Sequence, residues 1–415
     1  MNTQISPAIF NDLSSSSTLN NLTIFNNTSS LSSPLGSAIF ANNSSGLIII
    51  NTVMYNNTID IFTASGSTLS GSNNYVRSPS LFGSPSGFSQ LASDPFTDSS
   101  DIDGIDNIYG TEDDGLVPLE TSVLVDTGNI AFNSLTTDIA GQIRNLGATI
   151  DVGAYEYQSQ LIVNPKVYLQ GALLNASSTL MRDDLRANNH IPTTSPYSDG
   201  LTIDTSVLNA GGTSGTGLPE DDIVDWVWIE LRDANNNTSI IESTSALLQR
   251  DGDVVSEDGI SNLSLLIPFN NYYVVIKHRN HLGIMTANTI ALNQSASVID
   301  FTDATTPITF GTDAQTTFGM PTNILGMWAG DANGDGQLNY LGAASDVPSI
   351  RSQVFNDPNN SVFGGPPVGT YLSTGYHPTD INMDGNSVYS GATTDVLSIR
   401  DNIFNNPSNS VFGGP

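Results

Sequence analysis

Apolar residues follow three rhythms along this chain. In the first stretch they form short clusters, Ala8-Ile9-Phe10, Leu22–Phe25, Ala38-Ile39-Phe40 and Leu47–Ile50, set among asparagines. The clusters recur at an offset of thirty residues: Ala8–Phe10 matches Ala38–Phe40, Asn21 matches Asn51, and Asn26-Asn27-Thr28 matches Asn56-Asn57-Thr58. Short strands ending in paired asparagines predict the stacked coils of a right-handed parallel β-helix, with apolar side chains inward and asparagines stacked at the turns. Ser67–Val76 reads as a third, degenerate coil. Further on, VDWVWIELRDA from Val224 and NYYVVIKHRNHLGIMTA from Asn271 alternate apolar and polar residues, the period of β-strands. Clusters of Gly, Pro, Asn and Asp separate such runs and predict an antiparallel β-sandwich. Near the end, VPSIRSQVF and VLSIRDNIF space Val, Ile and Phe about one helical turn apart. The expected fold is therefore mainly β. A β-helix end and cap occupy 1–158, Gln158–Pro165 forms a linker, a sandwich occupies 163–327, and a small loop-plus-helix repeat occupies 328–415.

That last region writes one acidic segment twice. Asp331–Pro366 and Asp380–Pro415 align without a gap, and 22 of 36 positions are identical. Asp331, Asn333 and Asp335 return as Asp380, Asn382 and Asp384, each set followed by glycine. Oxygen-bearing side chains at alternate positions before a tight glycine turn can wrap a hard cation such as calcium, as an EF-hand loop does. The main-chain carbonyls of Gln337 and Asn386 would add a ligand each. The usual twelfth position holds Gly342 or Gly391, so the loop is expected to bulge and return with Asp346 or Asp395 as the closing carboxylate. A second acidic cluster, Asp101, Asp103, Asp106, Glu112, Asp113 and Asp114, is set among glycines and is a further calcium candidate.

Composition narrows the function. Eleven basic residues face 41 acidic ones, a net charge of −30. Such a chain is a poor partner for nucleic acid or an anionic membrane and a good one for divalent cations. It has no cysteine, which excludes disulfides, zinc thiolates and thiol catalysis. No apolar run reaches the ~18 residues of a membrane helix, so no membrane insertion is expected. The first residues lack the charged and apolar regions of a signal peptide. Because a solenoid needs about three repeats and a cap, Met1 is expected not to be the natural start, or the chain to be the tail of something longer. The Asn26 and Asn56 sequons read as turn residues. Trp226 and Trp228 share a face and read as packing residues, with sugar stacking as the alternative. His278 and His281, three apart on one strand, are expected to point to opposite faces and to be structural.

The closing stretch of the first region, DIAGQIRNLGATIDVGAYEY from Asp138 to Tyr157, resembles the C-terminal cap of β-helix domains in bacterial surface proteins. The middle region, with YLQGAL near Tyr168, DWVWIELRD, ALLQRDGDVV and YYVVIKHRNHLGIMT, resembles a module of large exported Bacteroidetes proteins, often followed by two dockerin-like calcium segments. The resemblance implies a haemagglutinin-like or adhesin-like surface protein exported by the type IX pathway. Two departures stand out. Many such proteins end in a β-sandwich sorting domain, whereas this chain stops at Val411–Pro415, so either a tail has been removed or the twin repeat is itself the attachment end. Dockerin loops are also shorter and carry small hydroxyl residues where this chain has Tyr340-Leu341 and Tyr389-Ser390, so calcium carries over and cohesin binding does not.

The function expected from all this is a non-enzymatic, extracellular or cell-surface structural protein of adhesin-like character. Its calcium-stabilised C-terminal module would dock to a protein partner on the cell envelope, with a glycan as a further candidate ligand. The alternative is a polysaccharide-binding or polysaccharide-degrading β-helix protein. The first 157 residues hold no lysine and only Arg77 and Arg144, which leaves a lyase without its base. A structural ion pair is expected for Arg144.

Overall fold

The computed structural model describes residues 7–28, 37–64, 66–77, 85–158, 160–174, 178–211, 218–360 and 367–408. The Ser-Val-Phe-Gly-Gly-Pro ends of both repeat copies lie outside them. The fold is mainly β, with 31% of residues in strands against 11% in helices. Two compact units divide the chain: Met1–Gln160 with Leu266–Phe269, and Leu161–Leu265 with Asn270–Pro415.

In the first unit, three short strands repeat in order: β1 (Ile9–Asn11), β2 (Ser16–Asn20), β3 (Thr23–Phe25); β4 (Ser37–Ala41), β5 (Gly46–Ile50), β6 (Val53–Tyr55); β7 (Ile59–Thr63), β8 (Thr68–Ser72), β9 (Asn74–Val76). Each pairs in parallel with its counterpart in the next round, giving ladders β1-β4-β7, β2-β5-β8 and β3-β6-β9, the last extended by β10 (Phe88–Gln90). The first step has the expected thirty-residue register, Ile9 opposite Ile39 and Leu19 opposite Ile49. The second is shorter, Ile39 opposite Ile61 and Val53 opposite Tyr75, because only Asn56–Thr58 joins β6 to β7. Alternation then sets the packing. Ile39, Leu47, Ile49, Met54 and Ile61 point inward and are buried. Phe10, Phe40 and Phe62 lie on the other face of their ladder, with ring centroids 5.4 and 5.5 Å apart.

The asparagines do what the corners require. Asn21, Asn51 and Asn73 have φ of 55°, 50° and 54°, and Asn26 and Asn56 have 58° and 57°, the left-handed region that Asn tolerates because its short amide can bond locally. The asparagines that follow two of them bridge rounds: Asn27 Nδ2 donates to Asn57 Oδ1 at 3.0 Å, and Asn57 Nδ2 donates to Ile24 O at 3.0 Å. Residues 91–157 are irregular and cover the ladder of β3, β6 and β9 with a second core of Val53, Phe96, Leu116, Leu124, Val152 and Tyr155. Gly153 (φ 121°) passes so near Thr23 that a Cβ would lie 2.8 Å from its Oγ1, so only glycine fits.

Arg144 is buried in this cover, its side chain 1% exposed, and Nη2 donates to the carbonyls of Gly153 at 2.7 Å and Asp151 at 3.2 Å. Nη1 lies 3.4 Å from Glu156 Oε2, an ion-pair distance without hydrogen-bond alignment. Burial, then Asp151, pushes the Glu156 carboxyl up to about 9 against the pull of Arg144. Burial likewise raises Asp151 to about 6. Proximity favours the ion pair and burial favours the neutral acid; both groups are so enclosed that burial wins. Both carboxyls thus keep their protons to higher pH when folded than when unfolded. The stability they supply is complete below about pH 4 and is lost as pH rises through about 6 and then about 9. The first unit should therefore be more stable near pH 5 than near pH 8, by up to about 1.4 kcal/mol per pH unit for each proton. All three tryptophans lie in the second unit, so far-UV circular dichroism against tryptophan fluorescence separates the two transitions; a first-unit midpoint that falls on acidification would contradict the assignment.

In the second unit, β11 (Leu161–Lys166) occupies the stretch expected as a linker; Leu161 and Val163 are buried, and alternation draws the segment into a sheet. The short helices α1 (Gln170–Leu173) and α2 (Asp184–Ala187) follow. A long antiparallel hairpin, β12 (Ile223–Asp233) with β13 (Asn236–Gln249), is extended by β14 (Val254–Val255). After β15 (Leu263–Leu265), β16 (Asn270–His278) pairs with β12 and with its own neighbours β17 (His281–Met285) and β18 (Ile290–Leu292). β19 (Val298–Asp300) runs parallel to β11, which pairs antiparallel with β15. The twin repeat belongs to this same unit. Helices α3 (Val347–Asn356) and α4 (Asp395–Asn405) pack on each other through Ile350, Val396 and Ile399, with Ala329, Ala332 and Ile381 filling between them.

Candidate metal centre

The two acidic loops make the same hydrogen bonds at matching positions. Asp331 Oδ1 accepts from Asp335 N at 3.0 Å and Oδ2 from Gly336 N at 2.9 Å; Asp380 repeats this with Asp384 N at 3.1 Å and Gly385 N at 2.9 Å. Asn333 and Asn382 each accept from the amide two residues on and donate to the carboxylate of Asp335 or Asp384. Gln337 N and Asn386 N donate to Asp335 and Asp384, both at 2.9 Å. The closing acids also return. Asp346 accepts from the amides of Ala332, Asn333 and Asn339, and Asp395 from those of Ile381, Asn382 and Val388. The extra residues before them bulge away, with Gly342 and Gly391 at φ 105° and 143°. The backbone conformation outranks residue identity: Gly334 takes φ 73°, and Met383 is held at 57° in the matching place.

The carboxylates strain against their setting. Burial, with repulsion from Asp331, raises Asp346 to about 6. Burial raises Asp380 to about 7 against the pull of Arg279, and burial plus repulsion from Asp380 raises Asp395 to about 8. Among the described residues no group of three His, Cys, Asp or Glu side chains is spaced to hold a metal ion. A cation at either loop would have to complete its shell from Asn333 or Asn382, the main-chain carbonyl of Gln337 or Asn386, and water, which is the mixed oxygen set that calcium accepts. On donor chemistry the residues fit calcium; they do not fit a metal that demands nitrogen or sulfur.

Loops with the same hydrogen-bond pattern have different surroundings. From Asn333 to Gln337 the first is exposed, and added Cβ atoms at Gly334 and Gly336 would meet nothing within 4 Å. The second is packed. Asn280 Nδ2 donates to Asp380 O at 2.6 Å, Arg182 Nη2 donates to Asn382 O, and a Cβ at Gly385 would lie 3.1 Å from His190.

Behind the second loop lies a polar centre that the sequence reading did not single out. Asp225, fully buried in β12, accepts from Trp226 N at 2.8 Å, from His278 Nε2 and Arg279 Nε at 3.0 Å each, and from the Tyr376 hydroxyl. Burial alone would raise this carboxyl, but Arg279, His278 and Tyr376 together hold it down to about 2. The signal was present: an aspartate inside the otherwise apolar run IVDWVW. His278 and His281 converge, their Nδ1 atoms 2.9 Å apart. They sit on either side of the turn between β16 and β17, so the expectation of opposite faces on one strand fails with the single strand it assumed. Gly171 N donates to His281 Nε2 at 3.0 Å, which puts the His281 proton on Nδ1, where Asn280 Oδ1 at 2.7 Å and His278 Nδ1 share it. Burial lowers both rings below the usual range, His281 furthest, so the pair is neutral.

No protein-family model, curated protein or solved structure matches this chain.

In the other acidic cluster, Thr111 Oγ1 donates to Asp113 at 2.9 Å and lies 3.4 Å from Asp106 and Asp114. Asp114 is buried and takes the Gly110 amide and the Tyr155 hydroxyl, and Gln142 donates to Glu112. Among the described contacts Asp101 and Asp103 stand outside this network. Trp226 is buried with Nε1 on Pro192 O, and Trp228 is half-buried against Tyr197, ring centroids 5.6 Å apart and tilted 37°, so the two do not form an exposed planar row. No helix among the described residues is long and apolar enough to cross a membrane.

Proposed function

We propose that this is a non-enzymatic, exported structural protein of adhesin-like character, whose C-terminal repeat is a calcium-stabilised docking module. The observation that carries this reading is the duplicated hydrogen-bond pattern of the two acidic loops, closed by Asp346 and Asp395. Carboxylates fixed by the same hydrogen bonds in both loops, under mutual repulsion, are most economically explained by a cation that both loops are built to hold. In that reading Asp331, Asn333, Asp335, Gln337 and Asp346 hold one calcium ion, and Asp380, Asn382, Asp384, Asn386 and Asp395 the other. The calcium supplies only charge neutralisation and cross-linking. Asp395, at the first position of α4, and Asp346, just before α3, couple each loop to its helix. The three parallel ladders support reading the first unit as the capped end of a β-helix, a stiff stalk or presenting surface, and the antiparallel sheet of the second as a sandwich-type spacer. The net charge of −30 favours a partner on the envelope that is protein rather than nucleic acid or anionic lipid.

Calcium titration of the full chain by calorimetry is the direct test. About two sites are expected, both abolished when Asp335→Ala and Asp384→Ala are combined. Heat indistinguishable from buffer dilution at millimolar calcium would end the calcium reading and the docking module with it.

A further inference from the structure

A cleft of about 610 Å3 opens in the second unit beside the first acidic loop. Its walls are chemically mixed in an otherwise acidic protein. Arg232, Lys277 and Arg279 supply cationic groups, Met285 and Phe310 apolar surface, and Asp331 and Asp335 one edge. Strand register puts Arg232 and Lys277 together, and Arg279 follows in the turn just past the strand end. Trp228 stands opposite Lys277, Glu230 opposite Val275 and Val275 opposite Met285, so these residues alternate onto one face of the sheet. Glu230, its side chain 2% exposed, engages both Arg232 and Lys277, so two cations share one carboxylate. Lys277 is 44% exposed and keeps donors free for something else. Arg279 is the more telling group. Its side chain is 8% exposed; Nε serves Asp225 and Nη1 the carbonyl of His377, but Nη2 is buried without a hydrogen-bond partner. The guanidinium also stacks on the Tyr376 ring, 4.5 Å from its centroid, which supports its charge but offers Nη2 no acceptor. A hydrogen-bond donor left unpaired in a nearly buried side chain is costly, and an anion supplied from the cleft would satisfy it.

We propose that this cleft binds a small carboxylate anion of monosaccharide size, with Lys277 and Arg279 as its donors. The volume suits such a ligand, since small-molecule sites run to about 300–1,000 Å3. Charge makes binding conditional. Arg232, Lys277 and Arg279 face Glu230, Asp225, Asp331 and Asp335, three positive groups against four negative. A divalent cation at the first loop reverses that balance and removes the repulsion at the cleft's edge. The calcium dependence, and nothing else in the proposal, rests on the calcium reading above. It also assigns the two loops different work: the packed second loop holds the unit together, while the exposed first loop sets the charge of the cleft.

Galacturonate titrated by calorimetry into the full chain in excess calcium tests this, with glucose as the neutral companion and calcium stoichiometry measured first on the same sample. Expected are about one galacturonate site, no heat from glucose, and at least about tenfold weaker binding in Lys277→Ala, the scale of one charge-assisted hydrogen bond. Met285→Trp, which fills the cleft from β17, should abolish binding while tryptophan fluorescence and circular dichroism report the folded state. Chelating calcium should weaken galacturonate by about fivefold or more at low salt. Two calcium sites with no galacturonate binding would overturn the cleft alone. Galacturonate binding without any calcium site would uphold the cleft and remove its calcium dependence. Equal binding of glucose, or full binding by both variants, would overturn the carboxylate assignment.

Discussion

Asp225→Ala is expected to destabilise the second unit by about 3–5 kcal/mol, the usual cost of removing one partner of a buried ion pair. Four groups lose their acceptor at once: the Trp226 amide, His278, Arg279 and Tyr376. The Arg279 side chain, 8% exposed, would be left without its counter-charge. The effect should reach the second acidic loop, because Arg279 and the adjoining Asn280 hold the carbonyls of His377 and Asp380. Asp225→Asn, which keeps the shape but not the charge, should lie between the wild type and Asp225→Ala. Denaturant unfolding followed by tryptophan fluorescence reports on this unit alone, since Trp226, Trp228 and Trp328 all belong to it. A loss below about 1 kcal/mol, the scale of a single neutral hydrogen bond, would mean that the centre is relaxed by water and is not a keystone.

The second large effect concerns calcium. A ligand that binds only the folded state adds RT ln(1 + [L]/Kd), about 4 kcal/mol per site at a thousandfold excess over Kd, so two filled sites would supply about 8 kcal/mol. Chelation should therefore lower the melting transition of the second unit steeply. The variants should not be equivalent. Asp395→Ala removes one of the two proposed calcium sites and strands the amides of Ile381, Asn382 and Val388 inside a loop pinned by Asn280 and Arg182. Asp346→Ala also removes a proposed site and the acceptor of three amides, but from a loop whose far side faces solvent. Asp395→Ala should accordingly cost more stability than Asp346→Ala, by about 1–2 kcal/mol on the scale of buried unsatisfied groups. The comparison is made with both variants at saturating calcium, and equal losses would show that the packing of the second loop contributes nothing.

Much of the architecture was legible in the chain because it is made by local rules. Left-handed asparagines at Asn21, Asn51 and Asn73, inward-facing Ile39, Ile49 and Ile61, and the thirty-residue register of the first two rounds all follow from short-range sterics and period-two alternation. The acidic loops likewise fold alike because their bonds close within the loop: Asp331 reaches Gly336, Asp346 reaches Ala332, and the second copy repeats both. Long-range packing settled the rest. It turned Asn271–Ala287 into a hairpin and so brought His278 onto His281, and it drew Leu161–Lys166 into a sheet. It also gave two loops of nearly the same sequence different environments, one open beside Lys277 and Arg279 and one pinned by Arg182 and Asn280. The sequence by itself determined where backbone and side chains satisfy each other over a few residues. Which of those finished pieces is buried, and against which charge, was decided by contacts that run from 54 residues apart, as for Asp225 and Arg279, to 200, as for Arg182 and Asn382, where local pattern carries no information.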